Sequence, residues 1–429
     1  MNHRPPPPIP VHVLTCVAIV AAATASPVLA QASRTCFVVV DRTGGSQRQV
    51  DIGGGQVHWY SGGGVWAHCR GEPTSWYSDS VAWYQNLDRF DMVGNVDFED
   101  ATVELTAERA SYYLAQERLD ATGNADLRNV VTGSRLRGPI INYYRQAAGV
   151  RETALLTASR RPEIEYRSEQ DSADAEPYLI VADRVEFRGN SAASAWGRVT
   201  IDRSDFHAKG DSAKLDTSVG AGLLTGSAEV AGGNTEGYTL VGRDVRFRLD
   251  GRDVTWVQAE GDARAASAEW RVMADTVAFD LEDDRVQAGQ AWGDSTRARA
   301  VSAANTIVAD SLAIDAPDQV LREVRGVGTA QASSQRDSLD ADPDWVAGDS
   351  VTASFAAGGD GQRTLAAITA IGTARARYRV YPEGSTEPDL SYSRGDRIVA
   401  RFANAQLVRV DIAGATDGVY LEAASRRRP

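Results

Sequence analysis

The chain has 429 residues, a formal net charge of -13 and 43% apolar residues. An acidic surplus of this size excludes a broadly basic nucleic-acid face and suits an exported protein that does not adhere to anionic surfaces. Past the N-terminal stretch, no segment supplies the roughly 18 uninterrupted apolar residues that a membrane-spanning helix requires.

The first segment reads as an export leader. His3 and Arg4 precede a run of prolines, Val11 to Ala25 is mostly apolar, Ser26-Pro27 breaks that run, and Val28-Leu29-Ala30 sets compact residues before a cut after Ala30. Residues 1–30 are therefore expected to be a signal peptide, with an uncleaved anchor as the alternative. Cys36 and Cys69 then remain in the mature chain. An even pair near the start of an exported protein predicts one disulfide stapling the first unit, against two free, partly buried thiols.

A repeated phrase follows. Trp76-Tyr77-Ser78-Asp79-Ser80-Val81-Ala82-Trp83-Tyr84 leads to Gly94-Asn95, and Leu105-Thr106-Ala107-Glu108-Arg109-Ala110-Ser111-Tyr112-Tyr113 leads to Gly123-Asn124. The two blocks superimpose at an offset of 29 without a gap. Such a period marks a chain of stacked supersecondary units. Related phrases run from Val181 to Phe187, Val241 to Phe247, Met273 to Phe279, Val308 to Ile314, Val346 to Phe355 and Ser393 to Phe402. Each has a residue that is usually small, then Asp, a polar residue and a β-branched or aromatic run. Alternation puts Val185 with Phe187, and Val351 with Phe355, on one buried face. Parity would also turn the Asp inward, at a high cost for an unpaired charge. The small-Asp pair is therefore expected at a corner, where the carboxylate takes backbone N–H bonds or faces water.

The second half of each unit is a polar turn and a short strand around a glycine, sharpest at Gly94 and Gly123 and looser near Gly226, Gly261, Gly293, Gly328 and Gly372. Glycine there permits a bulge or bend. The predicted fold is all-β, an elongated open β-jellyroll of repeated antiparallel strand pairs. Its expected divisions are an N-terminal jellyroll over 31–160, a polar loop over 161–177, a continuation of the repeats over 178–422 and a basic tail over 423–429.

The ordered recurrence resembles the OstA-like family, the LptA-like periplasmic β-jellyrolls of lipopolysaccharide transport, which include the N-terminal domain of LptD-type proteins. The resemblance rests on Ser78 to Tyr84 leading to Val93-Gly94-Asn95-Val96, and on Ala107 to Tyr113 leading to Thr122-Gly123-Asn124-Ala125. A weaker match runs from Gly395 to Phe402 and on through Leu407 to Ile412 and Asp417 to Leu421. It covers about residues 74–145 and 390–422, with a thin periodic echo between, and the chain is much longer than a minimal bridge protein of the family.

The resemblance implies binding and transfer of lipopolysaccharide or a similar glycolipid across the periplasm by an apolar groove, in association with outer-membrane biogenesis. It implies no catalytic residues, no metal and no cofactor. The residues that alternation offers as groove lining are Val81, Trp83, Phe90, Met92, Tyr112, Leu119, Ile141, Tyr143, Val185, Phe187, Val277, Phe279, Leu312, Ile314, Val351 and Phe355; packing of the two sheets on each other is their other use. Edge strands around Gln56 to Tyr60, Arg397 to Phe402 and Val408 to Ile412 offer pairing with other β-jellyroll transport proteins. The alternative function is a periplasmic scaffold without lipid cargo. A zinc site from Cys36, His58, His68 and Cys69, a His68–Cys69 reactive pair, and glycan binding by Trp59, Trp66, Trp76 and Trp83 are weaker alternatives.

Overall fold

The computed structural model describes residues 36–167, 175–232, 237–251, 253–334, 343–357, 363–382, 387–403 and 406–423. The expected signal peptide, nearly all of the basic tail and residues 168–174 of the expected polar loop lie outside the described residues.

Frequent β-branched and aromatic residues at every second position, with glycines where a helix would suffer most, make the described chain almost wholly extended. The strands begin β1 (Val38–Thr43), β2 (Gln47–Gly53), β3 (Gln56–Cys69), β4 (Ser75–Tyr84), β5 (Arg89–Glu99), β6 (Val103–Tyr113), β7 (Arg118–Asn129), β8 (Arg135–Tyr144) and β9 (Leu155–Ser159). They continue with β10 (Glu163–Tyr166), β11 (Tyr178–Val181), β12 (Arg184–Arg188), β13 (Ala192–Arg203), β14 (Phe206–Asp216), β15 (Ala221–Gly232), β16 (Tyr238–Asp250), β17 (Asp253–Ala266), β18 (Arg271–Glu282) and β19 (Arg285–Trp292). The last are β20 (Ala298–Val301), β21 (Asn305–Ala309), β22 (Ser311–Asp315), β23 (Glu323–Ser334), β24 (Asp344–Ala357), β25 (Arg363–Val380), β26 (Asp389–Ala403), β27 (Gln406–Ala413) and β28 (Asp417–Leu421). Successive strands pair antiparallel through β3 to β8, β13 to β18 and β23 to β27.

Long strand pairs break register at the glycine of a unit or opposite it, and β16–β17 and β24–β25 carry a second shift near the hairpin end. Between β4 and β5 the register jumps between Tyr77–Asp97 and Ser80–Val93; between β6 and β7 it jumps between Thr106–Asp126 and Arg109–Thr122. At the jump, Gly94 and Asn95 have φ of 79° and 45°, and Gly123 and Asn124 have 79° and 47°. Two successive left-handed residues swing the strand from one sheet to another. The segments around Arg89–Val93, Ile140–Tyr144 and Ser212–Asp216 form sheet I; those around Val96–Glu99, Arg135–Gly138 and Phe206–Lys209 form sheet II.

The acid of one strand lies over the glycine of the next. This holds for Asp79 over Gly94, Glu108 over Gly123, Asp183 over Gly197, Asp211 over Gly226, Asp310 over Gly328 and Asp349 over Gly372. The residue after the glycine then supplies a donor: Asn95 Nδ2 donates to Asp79 at 2.9 Å, Asn124 to Glu108 at 2.6 Å, and Thr373 Oγ1 to Asp349 at 2.7 Å. The corner expected at the small-Asp pair is present, but most of these carboxylates bind a neighbouring side chain. Asp275 follows the expectation, accepting from the backbone N–H of Ser295 and Thr296. At one corner the charges are exchanged: Arg243 covers Gly261, and the residue after it is Asp262.

The expected open jellyroll is corrected at two places. Strands β8, β9, β12, β13, β11 and β10 form a closed ring of pairings, as do β18, β19, β22, β23, β21 and β20. In each ring two long strands are each replaced by two short ones, one per sheet: β9 with β10 and β12 with β11 in the first, β19 with β20 and β22 with β21 in the second. Arg160 and Arg161 have φ of 67° and 65°, and Pro162 lacks an N–H, so the chain cannot run straight from β9 to β10. The expected polar loop over 161–177 therefore contains a strand: Glu163-Ile164-Glu165-Tyr166 alternates with period two and pairs with both β8 and β11. Its short length hid it among charged neighbours.

Inward residues of the two sheets meet in two hydrophobic cores, one from Cys36 to Val199 and one from Phe206 to Ala400. Cys36 and Cys69 are joined by a disulfide beside the β1–β3 pairing.

Candidate functional site: an apolar cleft between the sheets

Where the two cores give way to each other, the interior is not filled. A cleft with a cavity volume of about 80 Å³, partly open to solvent, is lined from sheet II by Ile164, Tyr166, Tyr178, Ile180 and Phe206 and from sheet I by Val185, Phe187, Leu215 and Phe247. Its origin is local. Sheet I here presents Ala193, Ala195 and Ala213 to the interior, and a methyl group leaves uncovered the space that a larger side chain fills elsewhere. In the first core the equivalent inward positions carry Phe90, Met92, Tyr112, Leu119 and Ile141, all closed off from solvent. A second, smaller space of about 30 Å³ lies between β23–β27, where Ala332, Ala376 and Ala400 face inward.

The structure brings two of the sixteen expected groove residues, Val185 and Phe187, into the large cleft. Val81, Phe90, Met92, Tyr112, Leu119, Ile141 and Tyr143 are buried in the first core, and Trp83 packs on its margin, stacked on Phe90 at 5.7 Å. Val277, Phe279, Leu312, Val351 and Phe355 are buried in the second core, with Ile314 partly buried against it. Ten further large apolar cleft residues, Ile164, Tyr166, Tyr178, Ile180, Ile201, Phe206, Leu215, Phe247, Leu249 and Val254, were not among the sixteen. Period-two alternation marks an inward face; it does not tell a packed position from one beside a void.

Because each strand changes sheet at its corner, hairpin turns fall alternately on the rims of sheet I and sheet II. The rims face each other, and two arginines cross between them. Arg145, just beyond β8 on sheet I, reaches Glu117 in the β6–β7 turn at 2.8 Å, Glu72 in the β3–β4 turn at 2.8 Å and Asp100 in the β5–β6 turn at 3.4 Å. It also donates to the Tyr112 hydroxyl at 3.0 Å. Tyr143 of sheet I donates to Asp100 of the sheet II rim at 2.8 Å. Burial pushes the Tyr112 and Tyr143 hydroxyls well above their ordinary value, so both stay neutral donors.

Arg203, the last residue of β13 on sheet II, pairs with Asp205 beside it and lies 3.6 Å from Asp284 in the β18–β19 turn of sheet I. Its guanidinium stands over the Tyr178 ring at 4.5 Å. Burial raises the Asp284 carboxyl and the nearby Asp205 charge adds to this, with Arg203 opposing. At Asp205 burial also acts upward, but the Arg203 hydrogen bond and charge outweigh it and hold that carboxyl low. Sequence reading passed over both arginines. The one available signal was Glu117, which repeats Asp88 at the unit offset in a turn otherwise suited to small polar residues; both have positive φ.

The residues weighed for other chemistry are dispersed. His68 bonds Asp41 at 2.8 Å and His58 bonds Asn86 at 2.9 Å. Among the described residues, no group of three His, Cys, Asp or Glu side chains is placed to hold a metal ion. Trp76 is buried, and Trp66 stacks under Arg42 at 3.7 Å. No helix among the described residues is long and apolar enough to cross a membrane.

No protein-family model matches the chain, and no curated protein matches it. Among solved structures, the chain is similar to LptH of Pseudomonas aeruginosa, described as the LptA-homologous periplasmic component of the lipopolysaccharide transport device. The likeness has 17% identity, covers 32% of this chain and 88% of that one, and has a TM-score of 0.24. A likeness at this level carries no argument about function.

Proposed function

We propose that the protein binds the acyl part of an amphipathic glycolipid in the cleft between β10–β14 and β12–β17, and passes it across the periplasm. Lipopolysaccharide is the cargo that the repeated phrase suggests. The observation that supports this reading is the apolar, partly open cleft between the sheets, walled by Phe187, Phe206, Leu215 and Phe247, the kind of concave apolar surface on which part of a lipid can rest. Each methylene shielded there is worth about 0.8 kcal/mol. A chain of several methylenes is thus held appreciably, by contacts that lack direction and let it slide.

Photocrosslinking tests the reading in cells that assemble lipopolysaccharide. A crosslinker at Phe187 is expected to give a lipid adduct, and one at Phe279 or Val81, inside packed cores, is expected to give none. If Phe187 and a second cleft position, Leu215, both stay free of lipid, the reading fails and a periplasmic scaffold becomes the better account. The runs Gln56–Tyr60 and Arg397–Phe402, expected as edges, are interior, flanked by β2 and β4 and by β25 and β27; partner pairing through the outermost strands, β1 and β2 at one end and β27 and β28 at the other, belongs to both readings. Val408, Val419 and Tyr420 there are exposed.

A further inference from the structure

The two rim-crossing arginines differ in how firmly they are held. Arg145 meets three carboxylates and a hydroxyl, and the interior behind it is packed. Arg203 stands at the boundary of the large cleft: its stacking partner Tyr178 and its neighbour Phe206 both line that space. Among the described residues, its one ion pair with the opposite rim is with Asp284 at 3.6 Å, longer than a good charge-assisted hydrogen bond. The Arg203 side chain is 2% exposed, yet its Nη1 has no hydrogen-bond partner among the described residues. A buried guanidinium with one arm unused and one long cross-rim contact is the weaker of the two ties.

We propose that Arg203 is a latch on the lateral mouth of the cleft: its contact with Asp284 ties the sheet II rim to the sheet I rim, and release of that contact widens the mouth. The latch rests on the reading of the cleft as a lipid site for its purpose, but not for its existence. When the Asp284 contact parts, Arg203 keeps Asp205 and the Tyr178 ring on its own sheet. The open state therefore does not strand an unpaired buried charge on sheet II. On the other rim Asp284, half-buried, lies in a two-residue turn beside the exposed Asp283, and both have positive φ, 59° and 49°. Asp253 and Tyr238 are the other titratable groups near the contact. No comparable release is open to Arg145, which would have to part from two opposite-rim carboxylates, Glu72 and Asp100, at once.

The test uses the full mature chain with spin labels at Val131 in the β7–β8 turn and Val219 in the β14–β15 turn. Both positions are exposed and they lie on opposite rims. Without lipid, the distance distribution is expected to lengthen and broaden in Asp284→Asn and in Arg203→Met, and to keep the wild-type form in Arg161→Met, a surface control. A fluorescent polyene fatty acid is then added. Its association rate is expected to rise about tenfold in both latch variants, the change given by about 1.4 kcal/mol.

Should Arg203→Met fail to fold, Asp284→Asn carries the test, because it removes the cross-rim charge and leaves the packing of β13 intact. Unchanged label distances in a folded Asp284→Asn protein overturn the latch, whatever the fatty acid does. Lengthened distances with no fatty-acid binding in any variant uphold the latch and reject the lipid reading instead.

Discussion

The carboxylate of Asp79 lies over the backbone of Gly94, so closely that a β-carbon built there stands 2.4 Å from Oδ2 and 3.0 Å from the Asp79 β-carbon. The same position has a φ of 79°. Gly94→Ala therefore meets both a clash and a left-handed backbone, and is expected to destabilise by about 1–3 kcal/mol. Asp79→Ala, which removes the obstruction but not the φ, recovers only part of the loss when combined with it. Denaturant unfolding of the two single variants and the double variant measures this; full recovery would show that backbone strain has no share.

Removing the Arg145 guanidinium leaves Glu117, Glu72 and Asp100 facing one another with no cation between them. Glu117 is 1% exposed. Arg145→Met is expected to cost about 3–5 kcal/mol. Glu117→Gln in the same chain should return part of this, since it removes one of the stranded charges. Chemical denaturation of the pair gives the coupling, and strictly additive effects would deny the cluster any cooperative role.

Acid should weaken the fold through a group of carboxylates that the structure holds ionised. Arg135 holds Asp126 below the ordinary aspartate value of 3.8, Arg198 does the same for Asp183, backbone N–H groups for Asp275 and Arg409 for Asp411. The folded state binds these protons less readily than the unfolded one. Their stabilisation is therefore present above 3.8 and is lost as the pH falls through the lowered folded values. Burial raises Asp120 and Asp284, which work in the opposite sense. Asp205, held low by Arg203, joins the first group; with five groups against two, the melting temperature should hold steady near neutrality and drop below about pH 4. Asp275→Asn should flatten that drop; an unchanged acid limb would remove Asp275 from the account.

Filling the cleft should separate binding from stability. Ala193 faces the void, so Ala193→Phe has room for its ring and is expected to leave the melting temperature unchanged or slightly raised while lipid adducts at Phe187 fall away. Ala121 is fully buried in the packed first core; Ala121→Leu is expected to cost about 1–3 kcal/mol by overpacking. Thermal unfolding reads the contrast, and equal losses for the two variants would mean that the cleft is not accommodating.

The strand class, the repeating unit and the corners were legible because each has a local cause. Alternation marks Val351, Ala353 and Phe355 as one face, and glycine marks the place where Gly94 and Gly123 must turn left-handed. The ring closures were not legible, because they depend on Arg160-Arg161-Pro162 stopping a strand that the unit pattern continues. The cleft was half legible. Val185 and Phe187 carry the inward pattern, but the void beside them is made by Ala193, Ala195 and Ala213, and small residues give no hydrophobic signal of their own. Arg145 and Arg203 look like surface residues in the sequence; apart from Asp205, beside Arg203, only tertiary structure brings their acidic partners from turns 28 to 81 positions away.

Every long strand belongs to both sheets, and the row of glycine corners is where it crosses. A covalent crossing in each unit forbids one sheet to slide along the other, as pages sewn at a spine cannot shift lengthwise. What remains is rotation about the sewn line. Each corner acts as one stitch, so a local opening at the rim must be absorbed as added twist by the neighbouring units. The interior can thus admit something at one station while the stations on either side stay shut.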